Sequence, residues 1–78
     1  MTHNNKKDIK AGQIRVDTNS PPDYLFYIIN RIMDNGVYFE VTLLNSCLGY
    51  TAGNKDLFSR RTIETDILVS EVPHNEER

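Results

Sequence analysis

The segment that most constrains the fold is residues 20–36, SPPDYLFYIINRIMDNG, which carries helix signals at both ends. Ser20 is a candidate N-cap, Pro21 suits the first helical turn, and Gly36 can close a helix in the left-handed conformation. Between these ends, apolar side chains recur at i, i+3, i+4 and i+7, namely Leu25, Ile28, Ile29 and Ile32. We therefore predict one helix over residues 20–36, around which the other segments pack.

Alternating apolar and polar residues predict strands at 13–18, 37–44 and 62–70. The fold class is then α+β, a single small β-α-β-β domain. Its sheet has three strands, or four under one interpretation of residues 45–61. One helix packs on one face of this sheet. Because β-α-β crossovers join parallel strands, the first two strands should be parallel. The expected core consists of Ile14, Val16, Leu25, Ile28, Ile29, Ile32, Val37, Phe39, Val41, Leu43, Ile67 and Val69.

Residues 45–61, NSCLGYTAGNKDLFSRR, fit two structures. In the first, the second strand runs to about Thr51, residues 52–55 turn, and the chain returns from Leu57 as a hairpin partner. In the second, Asn54 caps a helix of one or two turns. Glycines in the segment permit both, and the hairpin is favoured.

Length and composition indicate one domain over residues 11–72, with a flexible polar arm at 1–10 and a disordered acidic tail at 73–78. The single cysteine, Cys47, excludes an intrachain disulfide and is typical of a reducing compartment. No apolar stretch approaches the roughly 20 residues of a membrane helix. We therefore expect a soluble cytoplasmic protein that does not bind membranes.

Catalytic and metal-binding patterns are weak in this chain. The two histidines, His3 and His74, lie in the predicted arm and tail, so Cys47 has no positioned base and a zinc site lacks ligands. Acidic residues on the expected outer sheet face, Glu40, Glu64 and Asp66, have no cleft around them. We expect a non-enzymatic protein without a metal or cofactor.

The apolar arc of the predicted helix is broader than a small sheet can cover, and uncovered apolar surface often marks an interface. The candidate interface residues are Tyr24, Phe26, Tyr27 and Met33. A domain this small also has a marginal core, which association would support. The preferred hypothesis is a small interaction module that binds a protein partner or itself, as a homodimer, through helix 20–36.

The alternative hypothesis is nucleic-acid binding. The net charge of −2 gives no general attraction to phosphates, but residues 55–61 carry a local charge of +2 and residues 62–78 a charge of −4. The basic side chains that could contact phosphates are Lys6, Lys7, Lys10, Lys55, Arg60 and Arg61.

The run from Ile14 to Leu44 resembles the opening β-α-β unit of Alba-type nucleic-acid-binding proteins. The resemblance consists of a short strand, a proline turn, Tyr24 at the start of a helix, and residues 35–37, NGV, entering an alternating strand. It covers less than half of the chain. The basic loop of that family is replaced by residues 45–50, NSCLGY, which carry no charge, and the long second helix is missing or very short. The resemblance implies a nucleic-acid-binding scaffold.

Overall fold

The computed structural model describes residues 8–71, which form one five-stranded sheet in the order β4-β3-β2-β1-β5. Every pair of neighbouring strands is antiparallel. A short helix, α1, connects β4 to β5. The bounds are β1 Ile14–Asp17, β2 Leu25–Met33, β3 Tyr38–Leu43, β4 Lys55–Ser59, α1 Arg60–Glu64 and β5 Ile67–Ser70. The predicted β-α-β-β domain, a sheet of three or four strands with one broad helix on one face, is therefore wrong.

The predicted helix over residues 20–36 is wrong, because its central part is strand β2. The segment is rich in β-branched and aromatic side chains, which suit a pleated sheet. Alternate residues Leu25, Tyr27 and Ile29 are buried, while Phe26 and Ile28 are more exposed. An apolar run this dense satisfies the helical period and the strand period together. The prediction assumed the helical period, whereas the structure has the strand period.

A tight turn, Asp34–Gly36, joins β2 to β3. Asp34, Asn35 and Gly36 have φ angles of 51°, 55° and 93°, in the left-handed region that these three residue types tolerate best. In the sequence Gly36 fits a helix end, but the Asn35-Gly36 pair is also the strongest short signal for a hairpin turn. The expected parallel pairing of the first two strands is wrong as well, since β1 and β2 pair antiparallel.

The second predicted strand, 37–44, is confirmed as β3, with Phe39, Val41 and Leu43 facing inward. The hairpin interpretation of residues 45–61 is also confirmed, because β4 pairs antiparallel with β3. The strand ends at Leu43, however, and does not run to Thr51. The last predicted strand is confirmed in its second half. Its first residues belong to helix α1, where the Ser59 hydroxyl accepts a hydrogen bond from the Thr62 amide as an N-cap.

The core lies against the inner face of the sheet and is closed by α1 and by the segment before β1. Its members are Ile9, Leu25, Tyr27, Ile29, Phe39, Val41, Leu43, Phe58 and Ile63. Four residues predicted to be in the core are exposed instead: Ile32, Val37, Ile67 and Val69. Ile9, which the sequence placed in a flexible arm, is buried. Residues 1–7 and 72–78, including nearly all of the predicted arm and tail, lie outside the described residues.

The face of strand β1 that packs against the core is the opposite of the predicted one. Arg15 lies across from Tyr27 on the inner face, so Ile14 and Val16 face outward. A strand has a side-chain period of two, so this reversal moves the whole apolar set of β1 to the other face. It places a polar cluster inside the molecule and an apolar patch outside. In residues 8–71, no helix is long and apolar enough to span a membrane.

Candidate functional site

A buried polar cluster occupies the inner face of β1. Gln13, Arg15, Tyr27 and Asp66 are each at most 1% exposed. The Tyr27 hydroxyl donates a hydrogen bond of 2.5 Å to Asp66 Oδ2. Asp66 Oδ1 is buried and has no hydrogen-bond partner among the described residues. Polar groups buried this deeply normally have all their partners, so Asp66 is the least satisfied member of the cluster.

The environment of Asp66 disfavours its charged form. Burial raises the pKa of Asp66 to about 6, while the hydrogen bond from Tyr27 lowers it. The nearby charge of Asp17 raises the same pKa and that of Arg15 lowers it. Burial also raises the pKa of Tyr27, and the hydrogen bond to Asp66 adds to this shift. Tyr27 therefore remains a protonated donor while Asp66 titrates.

Arg15 and Gln13 connect the cluster to the residues that flank β5, Asp66 and Glu71. Its guanidinium donates to Ile63 O at 3.1 Å and to Gln13 Oε1 at 3.2 Å, and burial lowers its pKa. Gln13 Nε2 donates in turn to Glu71 Oε2 at 2.9 Å. Since Asp66 precedes β5 and Glu71 follows it, the cluster contacts both ends of that strand.

An outer apolar patch covers the opposite face of β1 and its neighbours. Cross-strand pairing aligns Phe26, Val16 and Ile67 in one row over β2, β1 and β5, with Ile28 and Ile14 beside it. Leu44 extends the row, because its amide donates to Phe26 O at 2.8 Å. Val16 is buried but lies outside the core cluster, whereas Phe26, Leu44 and Ile67 are exposed. We define the outer apolar patch as Ile14, Val16, Phe26, Ile28, Leu44 and Ile67.

The outer apolar patch ends at an open strand edge. β5 pairs with β1 on one side, and no described residue pairs with its other side. Its sequence, ILVS, has no charge, proline or glycine. The opposite edge strand, β4, carries Lys55 and Asp56, charges of the kind that discourage edge pairing. The β5 edge is therefore the better template for an added strand.

The structure separates the four predicted interface residues. Tyr24 and Phe26 are exposed beside Asn45, whose side chain accepts from Phe26 N and donates to Tyr24 O. Tyr27 is fully buried in the core, so it cannot contact a partner. Met33 lies at the far end of β2, away from the outer apolar patch. Sequence reasoning missed Val16, Leu44 and Ile67 as members of one outer row, since that row depends on strand pairing.

The basic residues of the alternative hypothesis are not gathered into one patch. Lys55 begins β4 and Arg60 directly follows its last residue, about 16 Å away along an extended strand. Arg60 donates to Gly36 O, contacts the face of Phe39 and lies 3.9 Å from Glu64. Arg61 lines a shallow depression beside Arg60. Lys10 belongs to the turn before β1, and Lys6 and Lys7 lie outside the described residues.

The opening of the chain also lacks the β-α-β unit on which the Alba-type resemblance depended. Residues 25–33 form a strand, and that strand is antiparallel to β1. The resemblance is therefore wrong at the level of the fold. Nucleic-acid binding by the basic side chains remains a prediction.

The acidic residues singled out from sequence are likewise separated. Glu40 lies on the outer face, 2.7 Å from Arg31 and 4.0 Å from Lys55. Asp66, by contrast, is buried in the polar cluster. Cys47 is partly buried, and its thiol donates to Tyr24 O. Within residues 8–71, no group of three metal-ligating side chains is close enough to hold an ion.

Comparisons with known proteins do not add to this picture, because no family model, curated protein or solved structure matches the chain. Two features of the described residues remain as indications of function. One is an apolar surface that ends at an open strand edge. The other is a buried polar cluster behind the same strand.

Proposed function

We propose that the protein is a non-enzymatic interaction module that associates with a second copy of itself through the open edge of β5. The single observation that carries the proposal is the uncharged β5 edge at the margin of the outer apolar patch. An exposed strand edge presents unpaired backbone N–H and C=O groups, and adding a strand there is a common mode of protein recognition.

A second copy fits this edge better than an unrelated partner, because β5 can pair with itself about a two-fold axis. An antiparallel pair of ILVS strands brings no like charges together. Ile67 lies at the edge in the row with Val16 and Phe26, so two copies would join two apolar rows into one. The cytoplasmic location expected from the single cysteine remains a prediction.

The contact area is modest, since β5 has four residues and the outer apolar patch is partly covered already. We therefore expect a weak dimer with a dissociation constant on the order of 10–100 µM. Sedimentation equilibrium over a concentration series up to about 0.5 mM would measure it. A strict monomer across that range would overturn the proposal.

Val69→Lys tests the edge directly, with Leu57→Lys as its matched control. The two side chains are 52% and 53% exposed, and each lies on an edge strand of the same sheet. In a dimer of Val69→Lys, the introduced lysines of the two copies would lie close together across the two-fold axis, and the apolar contact of Val69 would be lost. A lysine at position 57 would face Glu40 on β3. We expect Val69→Lys to weaken dimerisation at least tenfold and Leu57→Lys to leave it nearly unchanged. Equal effects of the two variants would contradict the assignment to β5.

A further inference from the structure

Strand β5 is attached to the sheet differently from the other strands. None of its four residues is buried, and its register with β1 shifts between Ile14 and Arg15. Its two flanking residues carry the polar contacts instead. Asp66 accepts the hydrogen bond from Tyr27, and Glu71 accepts one from Gln13. The attachment of β5 therefore depends more on polar contacts at its ends than on apolar burial along its length.

We propose that β5 is a pH-sensitive latch, in which ionisation of Asp66 weakens the attachment of β5 to β1 and protonation strengthens it. The geometric basis is the buried carboxyl of Asp66. Its Oδ2 accepts a hydrogen bond from the Tyr27 hydroxyl, and its Oδ1 has no hydrogen-bond partner among the described residues. A carboxylate held this way gains solvation when residues 66–71 leave the sheet. A neutral carboxyl gains far less, so it favours the attached state.

The groups that face Asp66 come from two strands. Tyr27 on β2 donates to it, and Arg15 and Asp17 on β1 act on it with opposite signs. Arg15 is in turn held by Gln13 and influenced by the charges of Glu64 on α1 and Glu71. Burial is the largest influence and raises the pKa of Asp66 to about 6. The latch therefore responds in the range between weakly acidic and neutral pH.

The latch is independent of the proposed self-association, because it concerns how β5 is attached to its own sheet. A strictly monomeric protein would still have it. If the protein does dimerise, opening of β5 would remove the pairing edge. The test is therefore made at low concentration, where the monomer predominates.

Hydrogen exchange followed by mass spectrometry measures how often β5 detaches from the sheet. Peptides that cover β5 are compared with peptides that cover β3. Exchange rates are divided by the intrinsic rates at each pH to give protection factors. With the pKa of Asp66 near 6 in the attached state and ordinary in the open state, protection of β5 should fall about tenfold from about pH 5 to about pH 7.5. At both pH values, β5 should be less protected than β3. Equal protection of β5 and β3, or no change with pH, would overturn the proposal.

Three variants separate the latch from other effects of pH and stability. Asp66→Asn should abolish the pH dependence of β5 protection. Tyr27→Phe removes a hydrogen bond that favours the carboxylate, so it should move the midpoint of the pH dependence to higher pH. An unchanged midpoint in Tyr27→Phe would contradict the latch. The variant with His3→Gln and His74→Gln should keep the tenfold change, and its loss there would assign the effect to histidine.

Discussion

Replacing Asp66 with asparagine should change the pH dependence of global stability by an amount that follows from the buried cluster. The pKa of Asp66 is raised from 3.8 to about 6 in the folded protein. The folded state therefore binds the proton more tightly than the unfolded state. Below about pH 3 the carboxyl is protonated in both states and no penalty exists. As pH rises from about 4 to about 6, the unfolded chain ionises before the folded protein does, so stability falls, and it levels off above the folded pKa.

The size of this penalty follows from the shift of about two pKa units. At 1.36 kcal/mol per unit, wild-type protein loses about 3 kcal/mol between about pH 3 and about pH 7.5 through Asp66. The asparagine of the Asp66→Asn variant cannot ionise and avoids this loss. Its amide nitrogen near the place of Oδ1 lacks an acceptor, which costs about 1–3 kcal/mol at every pH. The difference in unfolding free energy between variant and wild type should therefore move by about 3 kcal/mol in favour of the variant as pH rises.

Urea denaturation at several pH values, followed by circular dichroism, measures this difference. With an m-value of about 1 kcal/mol/M, the midpoint of the variant should gain about 3 M relative to wild type from about pH 3 to about pH 7.5. Asp56→Asn, which removes an exposed carboxylate on β4, is the control and should show little change. If the relative stability of Asp66→Asn stays constant, or falls as pH rises, burial does not raise the pKa of Asp66. A falling value would indicate that Asp66 is stabilised as an ion by Arg15.

Two further predictions test the turn and the core. Gly36→Ala should destabilise the protein by more than Gly53→Ala, each by about 1 kcal/mol or more, because both glycines have positive φ but a Cβ at position 36 would lie 3.0 Å from the Arg60 guanidinium. Thermal unfolding measures both, and equal losses would show that Arg60 moves aside without cost. Ile63→Ala should cost about 2–5 kcal/mol because Ile63 on α1 is fully buried, whereas Ile32→Ala should cost less than about 0.5 kcal/mol because Ile32 is 55% exposed. Similar losses for the two isoleucines would contradict the inward position of α1.

The parts of the fold that sequence predicted correctly are those with an unambiguous local pattern. Residues 37–44 alternate strictly, and β3 follows with the expected residues facing inward. Residues 25–33 have apolar side chains at nearly every position, so the pattern did not distinguish a helix from a strand. Its β-branched and aromatic composition and the following Asn-Gly pair both favour a hairpin. Greater weight on those two signals would have predicted β2.

The candidate site could not be predicted from local sequence. In β1, the run Ile14, Arg15 and Val16 indicates that the two apolar residues face the core, and the structure has the reverse. The reversal depends on partners far away in the chain, since Arg15 contacts Ile63 O near the end of α1 and lies across from Tyr27 on β2. The same reversal places Ile14 and Val16 on the outer face, where they form part of the outer apolar patch. Neither feature has a signal within four or five consecutive residues.

The most direct test of the proposed function is NMR of a sample that mixes isotope-labelled and unlabelled copies of the chain. Filtered spectra then report contacts between copies and exclude contacts within one copy. Self-association through β5 predicts intermolecular contacts among residues 67–70 of the two copies, in an antiparallel pattern about a two-fold axis. Contacts confined to β4, or an absence of contacts between copies at about 0.5 mM, would contradict self-association through β5.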